Sequence, residues 1–74
     1  MERSSQNSEA LLARLRAYRS DLESRIAFLE SGKAQVRLLH EGEWIDTTAM
    51  VVTTLYRQYG DLGALISDVA AGRL

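Results

Sequence analysis

GKAQVRLLHEGEWIDTTA, residues Gly32–Ala49, is the stretch that decides the fold of this 74-residue chain. Apolar and polar side chains alternate around Val36 and Leu38, which is the two-residue period of a β-strand. Glu41 and Gly42 predict a tight turn, and the β-branched residues that follow suit a return strand. We therefore expect a β-hairpin within this stretch. Because two strands alone are not stable, we expect one face of the hairpin to lie on a helix.

A long helix is predicted before the hairpin. Residues 9–31 contain no Gly and no Pro. Ser8 is expected to cap this helix, because its side chain can accept a hydrogen bond from one of the first free N–H groups. Gly32 is expected to end it, since glycine readily adopts the left-handed conformation found at helix C-termini. We assign residues 1–8 to a flexible N-terminal arm and residues 9–74 to a single domain.

The buried face of this first helix is predicted from large apolar residues at spacings of four, three, four and seven, namely Leu11, Leu15, Tyr18, Leu22 and Leu29. Three further apolar residues widen this stripe: Leu12, Ile26 and Phe28. The arginines fall mostly on the other faces, and Asp21 and Arg25 are spaced for an i,i+4 ion pair. The helix is about 35 Å long, whereas a compact globule formed by a chain with this number of residues is about 30 Å across. We expect its N-terminal turns to project beyond the core.

A second helix is predicted from Thr48, as its cap, to about Ala71, and Gly72 is expected to end it. Its apolar residues recur at alternating spacings of three and four: Val52, Leu55, Tyr59, Leu62, Ile66 and Val69. Each internal Gly costs about 1 kcal/mol, so either the helix is continuous or it breaks near Gly60, with Asp61 capping a short third helix. The order predicts an α+β fold of long helix, β-hairpin and long helix, with antiparallel helices and the hairpin packed at one end.

Composition argues against an enzyme, a metal site and a membrane protein. The chain has one His and no Cys, so it lacks thiolate ligands and most of the usual acid–base groups. His40 is expected to be a solvated loop residue, and Glu41, Glu43 and Asp46 lack the spacing of a calcium loop. No apolar run approaches the roughly 18 residues of a membrane span. We expect no catalysis, no cofactor, no metal and no membrane association.

Charge is unevenly distributed along the chain. Seven basic and five acidic residues up to Leu38 give +2, and two basic and five acidic residues from Leu39 onward give −3. The early arginines form either an ordinary solvated helix face or a docking face for an acidic partner or DNA. Trp44 faces solvent or a partner if Ile45 faces the helices, and it is a core residue if the register is the opposite.

The central segment resembles the gpW family, the small head–tail joining proteins of tailed phages. The shared features are a Gly-Lys pair ending the first helix, an acidic-Gly turn, an apolar-acidic pair on the return strand and a Thr-Ala pair opening the second helix with an apolar residue on its first face. These are here Gly32-Lys33, Glu41-Gly42, Ile45-Asp46, Thr48-Ala49 and Leu55. The resemblance covers roughly residues 22–60. The chain departs from the family in its longer first helix and in a helical stretch, residues 62–71, where the family has a flexible polar tail.

The resemblance implies a structural virion protein that is monomeric when free and assembles as a ring of twelve on the phage portal. Such a protein lies in the neck of the virion, and in the host cytoplasm during assembly. Its partners are copies of itself, the portal protein and a downstream neck or tail protein, with packaged DNA in non-specific proximity. The candidate subunit or portal interface comprises Leu11, Leu12, Leu15, Arg14, Arg16, Arg19, Trp44, Ile66, Val69 and Leu74.

Two other classes stay open. A small homodimeric helical regulator or inhibitor could pair through the same heptad stripes and bind a host protein through the hairpin or the early arginines. A DNA-binding module is the third possibility and depends on those arginines alone. It predicts an affinity that falls steeply with salt, because phosphate contacts release condensed counterions.

Overall fold

The chain forms a helix, a β-hairpin and a second helix. The structure, a computed structural model, describes the backbone of residues 2–73 and the side chains of residues 8–73. The α+β class is confirmed, and the elements follow the predicted order: α1 (Glu2–Glu30), β1 (Arg37–His40), β2 (Glu43–Asp46) and α2 (Thr48–Ala70). The molecule measures 57 × 23 × 16 Å, with a radius of gyration of 16.8 Å. A compact chain of this length has a radius of gyration of about 11 Å, so this one is a rod.

Helix α1 begins earlier than predicted. It starts at Glu2, so Ser8 lies inside the helix and does not cap it, and the backbone of residues 2–8 is helical where an arm was expected. These residues include neither Gly nor Pro, and their modest helix propensities are not enough to interrupt a helix that continues for many turns. The C-terminal end is as predicted: Gly32 has a φ of 79°, and its N–H donates to the Leu29 carbonyl at 3.3 Å.

The buried row of α1 is rotated from the predicted one. Among the side chains of α1 that the structure describes, Leu22 and Ile26 are fully buried, with 1% and 5% of their surface exposed, whereas Leu11 and Tyr18 are exposed. The residues that face α2 recur at spacings of three and four: Leu12, Leu15, Arg19, Leu22, Ile26 and Leu29. The prediction was wrong at Leu11, Tyr18 and Phe28, which are exposed. It also placed Arg19 on another face, whereas this arginine is half-buried in the row.

Helix α2 is continuous. It runs through both internal glycines, so the alternative of a break near Gly60 is wrong. All six residues of its predicted stripe are buried or half-buried, and Val69 is 7% exposed. Gly72, with a φ of 72°, ends the helix as predicted. Its N–H donates to Val69 and the next N–H donates to Asp68, which is the Schellman pattern of helix termination.

The first turns of α1 extend beyond α2, as predicted. Gly63 of α2 lies against Arg19 of α1. Helix α2 ends at Ala70, seven residues after Gly63, and Leu12 lies seven residues before Arg19. Leu12 is therefore roughly level with the end of α2. Because the helices are antiparallel, α1 has no helical partner before about this point. The backbone from there back to Glu2 adds about 15 Å of helix.

Candidate functional site

The hairpin presents apolar side chains on both of its faces. Its strands pair antiparallel, with Leu38 opposite Ile45 and Leu39 opposite Trp44. Because side chains alternate along a strand, the first pair lies on one face and the second on the other. Their exposed fractions are 57% and 44% for the first pair and 55% and 66% for the second. The expectation that one face is buried on a helix is therefore wrong, and Trp44 is a surface residue.

The turn at the tip of the hairpin is tight and acidic. Glu41 has a φ of 51° and Gly42 a φ of 81°. Two consecutive positive φ angles define the type I′ turn that suits a two-residue hairpin loop. Glu41, Glu43 and His40 are all exposed, and the His40 Nε2 lies 3.9 Å from a Glu41 carboxylate oxygen. The tip thus carries two carboxylates beside an exposed histidine.

A hydrogen-bonded junction fixes the base of the hairpin to the start of α2. The Thr48 N–H and hydroxyl both donate to one Asp46 carboxylate oxygen, at 2.9 and 2.6 Å. The Thr48 hydroxyl oxygen accepts the Val36 N–H at 2.9 Å, and the Thr47 N–H donates to the Val36 carbonyl at 2.8 Å. Hydrogen bonds from Thr48 hold the pKa of Asp46 below its ordinary value. Helix α2 begins at Thr48 with Thr47 at the N-cap position, so the prediction of Thr48 as the cap is wrong. The Thr48 hydroxyl bonds Val36 and Asp46 instead.

A half-buried arginine joins the two helices at mid-length. The Arg19 guanidinium carbon lies 4.2 Å from the centroid of the Tyr59 ring, and the same group lies against Gly63. A guanidinium over a tyrosine face is a favourable cation–π contact. The Arg19 Nε is buried and has no hydrogen-bond partner among the described residues. Sequence pattern does not predict this contact, because Arg19 has the charge of a surface residue and Gly63 is an unfavourable residue within a helix.

Two grooves run along opposite sides of the helix pair. The Arg16–Arg19 groove has a volume of about 310 Å³ and is lined by Arg16, Arg19, Ser20, Glu23, Tyr59 and Ile66. The Tyr18–Gln58 groove has a volume of about 250 Å³ and is lined by Tyr18, Gln58, Asp61, Leu62 and Leu65. They lie on opposite sides because Arg16 and Tyr18 flank the buried row of α1 from different directions.

A hydrogen bond joins the two helices at the end of the pair nearest the hairpin. The Tyr56 hydroxyl donates to a Glu30 carboxylate oxygen at 2.6 Å. This hydrogen bond to Glu30 raises the pKa of the Tyr56 hydroxyl above its ordinary value. A smaller hollow of about 230 Å³ beside it is lined by Glu23, Ile26, Ala27, Glu30, Tyr56 and Tyr59. The contact holds the last turn of α1 to α2 directly below the hairpin.

The predicted interface residues divide into three groups. Arg16, Arg19 and Ile66 come together in one groove. Leu12, Leu15 and Val69 lie within the helix pair, so they are part of the fold, whereas Leu11, Arg14 and Trp44 are exposed at separate places. Leu74 lies outside the described residues. Leu38, Leu39 and Ile45 were not among the predicted interface residues, although the Glu41-Gly42 turn fixes a register in which both hairpin faces are apolar.

Charged side chains of the described part of the chain form local pairs but no cluster suited to a metal. Arg25 meets Asp21 at 2.9 Å, as predicted, and Arg73 meets Asp68 at 2.8 Å. Within residues 8–73 no group of three His, Asp or Glu side chains could hold an ion. None of the described helices has the length and apolar character needed to cross a membrane.

Comparison with known proteins adds no further information to this geometry. The chain matches no protein-family model, no curated protein and no solved structure.

Proposed function

We propose that this protein is a structural, non-enzymatic virion subunit that assembles as a ring on a phage portal. It links the portal to the next neck or tail component, lies in the neck of the virion and passes through the host cytoplasm during assembly. The observation that carries this proposal is the hairpin, whose two faces both present exposed apolar pairs, Leu38 with Ile45 and Leu39 with Trp44.

An uncovered hairpin is typical of a protein that completes its structure on assembly. Full burial of a Leu, Ile or larger side chain contributes about 1.5–3 kcal/mol, and these four side chains lose much of that contribution in the monomer. Neighbouring subunits or the portal can supply the missing contacts. Since the two faces are different surfaces, one can contact a neighbouring copy while the other contacts the portal. A contact between unlike surfaces of two copies is heterologous, and it forms a ring when the rotation from one copy to the next closes.

The shape of the subunit also fits this role. Leu22, Ile26 and Val69 are its fully buried hydrophobic residues among those described, so the monomer has a thin core. The N-terminal turns of α1 project beyond α2 and offer a further surface to a partner. A thin core and unpartnered ends are features of small domains that gain stability from association.

The proposal is tested by light scattering on the purified chain, alone and mixed with rings of the portal protein encoded in the same genome. We expect the free chain to be a monomer and the portal rings to bind it in a fixed stoichiometric ratio. Replacing Leu38 and Leu39 by Thr removes one apolar side chain from each face while keeping good strand residues, and it should weaken capture at least about tenfold. Met50→Thr is the control, because Met50 is 67% exposed on α2. A chain that never binds the portal would contradict the proposal.

A homodimeric regulator is the second candidate. Leu11 and Tyr18 are exposed and lie seven residues apart, so they form a short heptad stripe on which a second α1 could pack. This candidate predicts a stable dimer without portal affinity. The same light-scattering measurement therefore separates the two functions.

A further inference from the structure

We infer that the Arg16–Arg19 groove is the socket for the acidic hairpin tip of a second copy of this chain. The inference rests on the proposed function, because it names the contact through which neighbouring subunits of the ring meet. It joins two surfaces of one molecule that cannot meet within that molecule: a groove at mid-length of α1 and the Glu41–Glu43 turn at the end of the hairpin.

The groove carries positive charge that the monomer does not neutralise. Arg25 and Arg73 have carboxylate partners, but Arg16 and Arg19 make no ion pair within residues 8–73. Glu23 also lines the groove without pairing to either arginine, so two positive charges stand against one negative charge. Arg19 is half-buried, its Nε is buried without a partner, and its guanidinium is held in place by Tyr59 and Gly63. Arginines fixed in this way are suited to bind carboxylates.

The hairpin tip has the complementary charge. Glu41 and Glu43 are exposed and have no Lys or Arg within ion-pair distance in the described residues. Arg37, the nearest cation along the strand, donates both of its hydrogen bonds to Gln35, at 2.9 and 3.3 Å. Trp44 follows directly and is 66% exposed, so the tip offers two carboxylates beside a large aromatic ring. An aromatic anchor next to charged groups is typical of interface hot spots.

Disulfide trapping tests this contact directly, because the natural chain contains no Cys. Glu43→Cys in one preparation and Ser20→Cys in another place one thiol at the tip and one in the groove. After mixing and mild oxidation, we expect the 43–20 heterodimer to predominate over both homodimers. Gln58→Cys is the matched control, since Gln58 lines the Tyr18–Gln58 groove on the other side of the helix pair.

Charge reversal separates electrostatic recognition from misfolding. Arg16→Glu in the Ser20→Cys chain should abolish the link, and adding Glu41→Lys to the Glu43→Cys chain should restore it. Arg16 is exposed, so its replacement leaves the helix pair intact, and Arg19 is left unchanged because it packs within that pair. Equal linking at positions 20 and 58, or no rescue by the second reversal, would overturn the inference. A third result would also overturn it: the link does not form, the wild type binds duplex DNA, and Arg16→Glu abolishes that binding.

The same trapping on portal rings separates this inference from the proposed function. If the portal captures a ring in which the 43–20 link does not form, the inferred contact between tip and groove is wrong, but the proposed connector function is supported. If the link forms in solution but the portal does not capture the chain, the contact between tip and groove is supported and the proposed connector function is contradicted.

Discussion

Arg19 and Gly63 are in direct contact: a methyl group added at Gly63 would lie 3.1 Å from the Arg19 Nη2 and 3.3 Å from its guanidinium carbon. The same guanidinium covers the Tyr59 ring. Gly63 therefore makes room for a charged side chain that enters the contact between the helices. Because Arg19 also lines the groove, this glycine positions a residue of the proposed interface.

The two helical glycines of α2 should respond differently to replacement by Ala. Gly60 has nothing within 4 Å of an added methyl group, whereas Gly63 meets Arg19. Gly60→Ala should raise the free energy of unfolding by about 1 kcal/mol, because alanine is the better helix former. Gly63→Ala should give a smaller gain or a loss. Urea denaturation of both variants measures the difference, and equal stabilisation would contradict the packing of Arg19 described above.

Glu41 occupies a backbone conformation that favours Asn and Gly. Its φ of 51° is the left-handed region, which costs most residues roughly 1–2 kcal/mol. Glu41→Asn creates the Asn-Gly sequence preferred in type I′ turns and should raise the stability of the chain by about 1 kcal/mol. Thermal denaturation checks this change. Gln, which keeps the size of the side chain without the turn preference, is the control and should leave the stability nearly unchanged.

Asp46 should make the stability depend on pH. Its folded-state pKa is lowered by hydrogen bonds from Thr48, so its contribution is fully present above the unfolded value of about 4. That contribution is lost as the pH falls through the lower folded value. Denaturation midpoints measured from neutral to acidic pH should therefore decrease more steeply in the wild type than in Asp46→Asn. Parallel curves for the two proteins would contradict a role for the ionised carboxylate.

The contact between Tyr56 and Glu30 gives a pH dependence of the opposite sign. The hydrogen bond to Glu30 raises the folded-state pKa of the hydroxyl, so its contribution is present below the ordinary value of about 10. It is lost as the pH rises through the higher folded value. Tyr56→Phe should be less stable near neutral pH and should approach the wild type in alkaline solution. A constant difference between the two proteins would show that the hydroxyl does not act through its ionisation.

Sequence pattern predicted most of the fold. The Glu41-Gly42 turn, the Gly32 and Gly72 helix ends and the stripe of α2 depend on local backbone preferences and on periodicity, and these agree with the structure. The start of α1 was wrong because capping residues such as Ser8 can also continue a helix when nothing breaks it.

The candidate interface was less accessible to sequence pattern, because its residues depend on tertiary contacts. Arg19 fits the spacing of the buried row, but a charged residue is normally predicted to be exposed. It is accommodated between the helices because Gly63 and Tyr59 lie opposite it. Exposure of the hairpin faces likewise depends on where the helices lie. The register alone does not tell which face a helix covers, and in this molecule neither is buried.

The central claim is that assembly covers a hairpin that the monomer leaves exposed, and Trp44 reports on it most directly. This sole tryptophan is 66% exposed, so its fluorescence emission should be that of a solvated indole in the free chain. We would record the emission of wild type and of Trp44→Phe, each free and bound to portal rings, and take the difference to isolate Trp44. A blue shift and reduced acrylamide quenching on binding are predicted. Unchanged emission in a complex with full occupancy would contradict the account.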